Sequence, residues 1–282
     1  MTIKITTDST CDLPAALLEQ RNITVAPLGV AKGGKLYHDG VDISIWDIAA
    51  HVDGGGEITT TSAVNIADYE TLFAPLSERY DAVIHINLGS GFSSCHQNAR
   101  AAAQEFGNVY VVDSGNLSSG HGLVVLAASD AAAAGKSPAE ILTLLEKLIP
   151  RVEASFVIDR LDYLYKGGRC SALSAFGGNL LKLKPCIEVK DGKMTPGKKY
   201  RGPIDKVMLQ YVDDRLRGRD DINKHRVFIT HTRCAPEAVE AVRQKILELA
   251  PDFEEIIETT AGSTVTSHCG PGTLGVLFIR TK

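Results

Sequence analysis

The stretch AVIHINLGSGFSSCHQNARAAAQEF, residues 82–106, joins an apolar run to a run with helical patterning through a turn broken by Gly89 and Gly91. A short β-branched run followed by a glycine turn and a helix is the unit of an α/β fold, in which helices cross over between parallel strands. The same rhythm recurs on both sides. IKITTDS near the start predicts a strand, and Asp12 is placed to cap a helix with Pro14 in its first turn. ITVAPLGVA predicts the next strand, and KLYHDGVDI carries a D-G turn signal. Ser44 and Asp47 form a capping box for IWDIAAHV, and GGGEITTTSAVN is expected as a hydroxyl-rich loop before a helix capped by Asn65. NVYVVD predicts another strand, SSGHGLVVLAASDAAAAG a helix of small residues, and S-P-A-E at 137–140 a capped helix start.

Strands separated by helices imply parallel pairing with right-handed crossovers, so residues 1–153 are expected as a doubly wound, mostly parallel sheet. Beyond Arg151 the pattern changes. SFVID, a short helix ending in KGGR, and the hairpin signal KDGKMTP predict a second α/β domain, 154–282, with a mixed sheet. At 282 residues the chain is longer than the ~100–200 typical of one domain, which fits two domains with a ligand held between them.

Composition narrows the class. A hydrophobic content of 44% with 23% charged residues is ordinary for a globular α/β protein. No run approaches the ~20 apolar residues of a membrane span and no signal-like h-region opens the sequence, so a cytoplasmic location is expected. Six scattered cysteines without a C-x-x-C pair predict reduced thiols and no metal site, and no cofactor is expected. A net charge of −4 gives no general attraction to nucleic acid. From Arg160 to Arg201, however, ten Lys/Arg stand against three acids, a balance of +7 that would draw an anionic partner.

The chemistry-bearing residues admit two readings. Gly91-Phe92-Ser93 approaches the G-x-S-x-G elbow of α/β-hydrolases, with His268 late in the chain as its base. The turn lacks the final glycine, Gly89 and Ser90 intervene after the strand, and no HGGG-type oxyanion loop is present. Alternatively, the same hydroxyls and helix-entry amides hold a carboxylate without covalent chemistry. Thr59-Thr60-Thr61-Ser62 supplies a second hydroxyl loop for this purpose, and His268 could donate to a bound carboxylate while partly charged.

TTDSTCDLP at 6–14, TTTSAVN at 59–65, GSGFSSCHQNA at 89–99, DSGNLSSGHG at 113–122, YLYKGGRCS at 163–171, LLKLKPCIEVKDGKM at 180–194 and SHCGPGTLG at 267–275 together resemble the successive motifs of the DegV family. That resemblance implies a bacterial, non-catalytic carrier. It would enclose one long-chain fatty acid in an apolar tunnel and present the carboxyl group to a separate fatty acid kinase that makes the acyl phosphate, in phospholipid metabolism. It also implies carboxyl-binding roles for Thr61, Ser93 and His268, with Arg201 near the entrance. Contact with anionic membrane would allow lipid exchange. Leu173, Phe176, Leu180 and Leu181, at roughly helical spacing, are tunnel candidates. The chain departs from the family pattern at Ala63-Val64-Asn65 in the T-S loop, at Cys95 and at Cys269.

Overall fold

A computed structural model describes residues 1–169 and 183–282. The chain divides into two compact units, Met1–Pro150 with Gly262–Thr264, and Arg151–Ala261 with Val265–Lys282.

The first unit contains β1 (Ile3–Asp8), α1 (Ala15–Gln20), β2 (Thr24–Ala26), β3 (Gly29–Lys32), β4 (Lys35–His38), α2 (Ile45–Asp53) and β5 (Thr60–Ser62). It continues with α3 (Ile66–Arg79), β6 (Ala82–Asn87), α4 (Cys95–Ala102), β7 (Val109–Asp113), α5 (Ser118–Ala133) and α6 (Pro138–Leu148). Strands β2, β1, β6 and β7 lie in that order in a four-stranded sheet with every pair parallel. The order reverses between β1 and β6, so their carboxyl ends open the crevice where ligands of doubly wound sheets bind. Each residue of β6 is buried, the polar His85 and Asn87 included, as in a strand covered on both faces. Helix α5 is almost wholly buried as well. Its small residues permit this: a Cβ on Gly122 would lie 2.6 Å from the Cys11 carbonyl oxygen.

Both predicted capping boxes are present, at Ser44/Asp47 and Ser137/Glu140, and Asn65 caps α3 by accepting from Asp68 N at 2.9 Å. Three local readings are corrected. Asp12 does not cap α1; it sits at φ 49°, Pro14 occupies the N-cap, and the Asp12 carboxylate turns elsewhere. ITVAPLGVA is two strands, because Pro27 has no N–H to continue a ladder. β2 stays in the parallel sheet while β3 enters a separate three-stranded antiparallel sheet, β4-β3-β5. The hydroxyl loop is therefore partly strand, with Thr61 opposite Val30 and Ser62 opposite Gly29.

The second unit has β8 (Val152–Glu153), β9 (Ser155–Val157), α7 (Leu161–Gly167), β10 (Lys184–Lys190), β11 (Lys193–Tyr200) and α8 (Ile204–Leu216). Then come β12 (Ile222–His231), α9 (Pro236–Leu249), β13 (Glu255–Thr260), α10 (Ser263–Cys269) and β14 (Leu274–Arg280), with the first two residues of α10 grouped in the first unit. Its seven-stranded sheet has the order β11-β10-β9-β14-β12-β13, with β8 on β14, and is mixed: β12 and β13 run parallel, the other pairs antiparallel. Asp191 and Gly192, both at positive φ, make the tight turn of the β10–β11 hairpin. Helices α8 and α9 pack Val207, Tyr211, Val242 and Ile246 against Val227, Ile229 and Val276 in one apolar core.

Helix α10 is an element the sequence reading missed; His268 lies on a helix and not simply beside a turn. The tunnel candidates Leu173, Phe176, Leu180 and Leu181 fall outside the described residues. Among the described residues no helix is long and apolar enough to cross a membrane.

Candidate functional site

At the strand-order reversal the first unit buries a polar network. The Asp8 carboxylate, at the end of β1, accepts from Tyr69 Oη at 2.6 Å, from Leu88 N at 2.8 Å and from Asn87 Nδ2 at 3.2 Å, and lies 3.2 Å from His85 Nε2. Burial alone would push its carboxyl pKa up, but the His85 hydrogen bond and the neighbouring imidazoles hold it below its ordinary value. Through Leu88 N the carboxylate fixes where the chain leaves β6.

The turn that follows is built by its glycines and its neighbours. Gly89 N donates to Asn116 O at 2.8 Å and Phe92 N to Gly89 O at 2.9 Å, while Ser90 N donates to Asp113 Oδ1 at 3.0 Å. A Cβ on Gly89 would lie 2.8 Å from the 115–116 backbone, so only glycine allows the two loops to cross so closely. Ser93, half-buried, comes just before α4. Its Oγ accepts from Cys95 N at 3.3 Å and donates to Cys95 Sγ at 3.2 Å. Burial, and then the charge of Asp8, pushes the Cys95 thiol up to about 11, so it stays neutral.

Thr61 lies on β5 of the three-stranded sheet. Asn98, on α4, donates from Nδ2 to the Val64 carbonyl at 2.7 Å, which ties the hydroxyl segment to the helix that Ser93 precedes. Asn98 thus links the segment after Thr61 to the helix after Ser93.

His268 and Arg201 belong to the second unit. His268 lies in the last turn of α10 against the end of α7: a Cβ on Gly167 would sit 2.3 Å from its Nδ1. The KGGR motif is therefore more than a helix stop, although Gly168 does end α7 at φ 65°. Burial, and then the Arg169 charge, pushes the His268 pKa down to about 4, so the imidazole is neutral near pH 7. Arg201 is exposed in the segment after β11. Several of the basic residues between Arg160 and Arg201 have acidic partners: Arg160 with Asp162, Lys184 with Asp159, Lys190 with Glu188 and Lys198 with Asp214. Asp162 and Glu188 already stand in the balance of +7, but Asp159 and Asp214 lie outside the 160–201 stretch and reduce the excess further.

These motifs match a known family along the whole chain. The family model described as "Uncharacterised protein, DegV family" covers residues 2–281. The chain belongs to the DegV family. Among its relatives, a DegV domain-containing protein of Deinococcus radiodurans is 35% identical over 277 residues, 98% of either chain. A fatty acid-binding protein of Thermotoga maritima is 31% identical, covering 98% of this chain and 96% of its own. A solved structure described as fatty acid binding of a DegV family protein from Thermus thermophilus superposes with a TM-score of 0.90 at 33% identity, covering 99% of this DegV chain and 100% of the other. The two-unit α/β architecture, with one parallel and one mixed sheet, is that of DegV structures.

Proposed function

We propose that this DegV protein binds one long-chain fatty acid in an apolar tunnel and presents the carboxyl group to a separate fatty acid kinase for acyl-phosphate formation. The observation that carries the reading is the end-to-end similarity, at 33% identity and a TM-score of 0.90, to the Thermus protein described by its fatty acid binding. The head group would be held by the Thr61 and Ser93 hydroxyls and the His268 imidazole, with Arg201 near the entrance. Each buried methylene contributes about 0.8 kcal/mol, so the acyl tail supplies most of the affinity. The polar residues need only keep the buried carboxyl group hydrogen-bonded. A neutral imidazole suits this task, since it donates a hydrogen bond without locking the acid in an ion pair. Transient contact with anionic membrane would load the acid.

The protein itself is proposed to be non-catalytic. Ser93 Oγ donates to Cys95 Sγ, not to a histidine, which disfavours the serine hydrolase alternative using Ser93 and His268. Native mass spectrometry of the purified chain, followed by solvent extraction, tests the choice. Co-purified fatty acid at near-stoichiometric amount is expected. An empty protein that burst-releases nitrophenol from a nitrophenyl ester, and loses this on Ser93→Ala, would replace the carrier with the hydrolase. With a fatty acid kinase added, Thr61→Ala combined with Ser93→Ala should slow acyl-phosphate formation; unchanged turnover removes both residues from the site.

A further inference from the structure

A helix start leaves backbone N–H groups without intrahelical partners, and these are usually met by a side chain just before the helix. The segment entering α10 reads Ala261-Gly262, which has no side chain suited to that task. The partners come instead from the beginning of the chain. Asp12 Oδ1 accepts from Gly262 N at 2.8 Å, and Asp39 Oδ1 accepts from Ser263 N at 2.8 Å. Both carboxylates are buried, at 5% and 4% exposure, and all four residues belong to the first unit.

Each carboxylate is itself held. Asp12 Oδ2 accepts from Ser118 Oγ at 2.5 Å, and Asp39 Oδ2 from Ser9 Oγ at 3.0 Å. Ser9 Oγ in turn accepts from Leu28 N at 3.1 Å, and Ser263 Oγ donates to the Ile43 carbonyl at 3.2 Å. A Cβ on Gly262 would lie 3.1 Å from Asp12 Oδ1 and 3.2 Å from Asp39 Oδ1, so glycine lets both acids close on consecutive amides. Two neighbouring buried carboxylates also suit the positive end of a helix dipole.

We propose that Asp12 and Asp39 are positioning residues for His268, seating the first turn of the helix whose last turn carries that imidazole. The proposal rests on the reading of His268 as a carboxyl-binding residue. It gives a role to Asp12, the last residue of the D-S-T-C-D motif at 8–12, whose first residue, Asp8, serves the sheet. Burial, opposed by the Ser118 and Gly262 hydrogen bonds and aided by the charge of Asp39, pushes the Asp12 carboxyl up to about 7.

Hydrogen exchange of the whole chain, read by mass spectrometry over peptides covering 261–269, tests the seating, and oleate titration tests its consequence. Losing a hydrogen bond to a charged group should raise exchange at Gly262–Thr264 by about tenfold or more in Asp12→Ala and Asp39→Ala. Both variants should weaken oleate binding, shift the His268 imidazole resonances, and add no further loss of affinity when combined with His268→Ala. Unchanged exchange at Gly262–Thr264, or losses that add in full to that of His268→Ala, would overturn the proposal. Should the alanine variants not fold, Asp12→Asn and Asp39→Asn keep an acceptor oxygen but no charge. A smaller rise in the same peptide supports the proposal and no rise overturns it. If His268→Ala leaves oleate affinity intact, it is the head-group reading that fails, while the exchange result still decides whether the two acids seat the helix.

Discussion

The Asn98 side-chain amide donates to the Val64 carbonyl at 2.7 Å and so fastens the segment after Thr61 to the helix after Ser93. Val64 is 3% exposed, and truncating its partner would leave its buried carbonyl short of a donor. Asn98→Ala is expected to cost about 1–3 kcal/mol in urea denaturation and to weaken oleate binding as the two hydroxyl segments part.

Gly167→Ala places a methyl carbon where the His268 ring now lies, 2.3 Å from Nδ1. The ring or the end of α7 must move, with a destabilisation of about 1–3 kcal/mol typical of overpacking. A changed His268 resonance and weaker oleate binding are expected, whereas Gly168→Ala, with open space around its Cβ, should cost mainly the strain of its positive φ.

Two buried groups give stability opposite slopes with pH. His268 has its folded pKa lowered to about 4 from an ordinary value near 6.5, so the unfolded chain binds more protons between these values. Its contribution is full above about 6.5 and is lost as pH falls toward 4. Asp12 has its folded pKa raised to about 7, so the native state binds the extra proton and stability falls as pH rises from about 4 to 7. Denaturant midpoints measured between pH 4.5 and 8 should lose the acid-side fall in His268→Gln and the opposing slope in Asp12→Asn.

In the second unit, Arg215 joins Glu153 and Glu188, the latter at 3.0 Å, and Arg219 reaches Glu153 at 2.8 Å. The Arg215, Glu153 and Glu188 side chains are each less than one-fifth exposed. Arg215→Ala removes the guanidinium that joins the two acids but leaves Glu188 with Lys190 and Glu153 with Arg219 and Arg280, and a loss of about 1.5–3 kcal/mol is expected in urea denaturation. Arg217, whose ion pair with Asp213 is exposed, should tolerate alanine with less than about 1 kcal/mol lost.

What the sequence made legible was local. The capping boxes at Ser44/Asp47 and Ser137/Glu140 and the Asp191-Gly192 turn are satisfied within a few residues, so spacing alone reveals them. Asp12 was misread as a local cap because its partner Gly262 lies 250 residues away. Helix α10 escaped notice because its Ser-Thr-Val-Thr-Ser run has weak helix propensity, and its seating depends on carboxylates from distant parts of the chain. The hydroxyl segment at Thr60–Ser62 read as a loop because nothing near it in sequence announces β3 as its partner. The motifs marked Ser93 and Thr61, but Asn98, which links their segments, is a residue that no spacing rule singles out.

That partnership with β3 makes Thr61 one choice among four. Thr59, Thr60, Thr61 and Ser62 all offer a hydroxyl, so chemistry cannot distinguish them. Alternate strand residues face opposite sides, and a slip by one would exchange Thr61 for a neighbour of the same kind but aimed the other way. Gly29 opposes Ser62, and a Cβ there would fall 2.1 Å from Ser62 Oγ. A missing methyl group thus serves as the index mark from which the hydroxyls are counted, so an inserted or deleted residue between Gly29 and Thr61 is tolerable only where the count from that mark is kept.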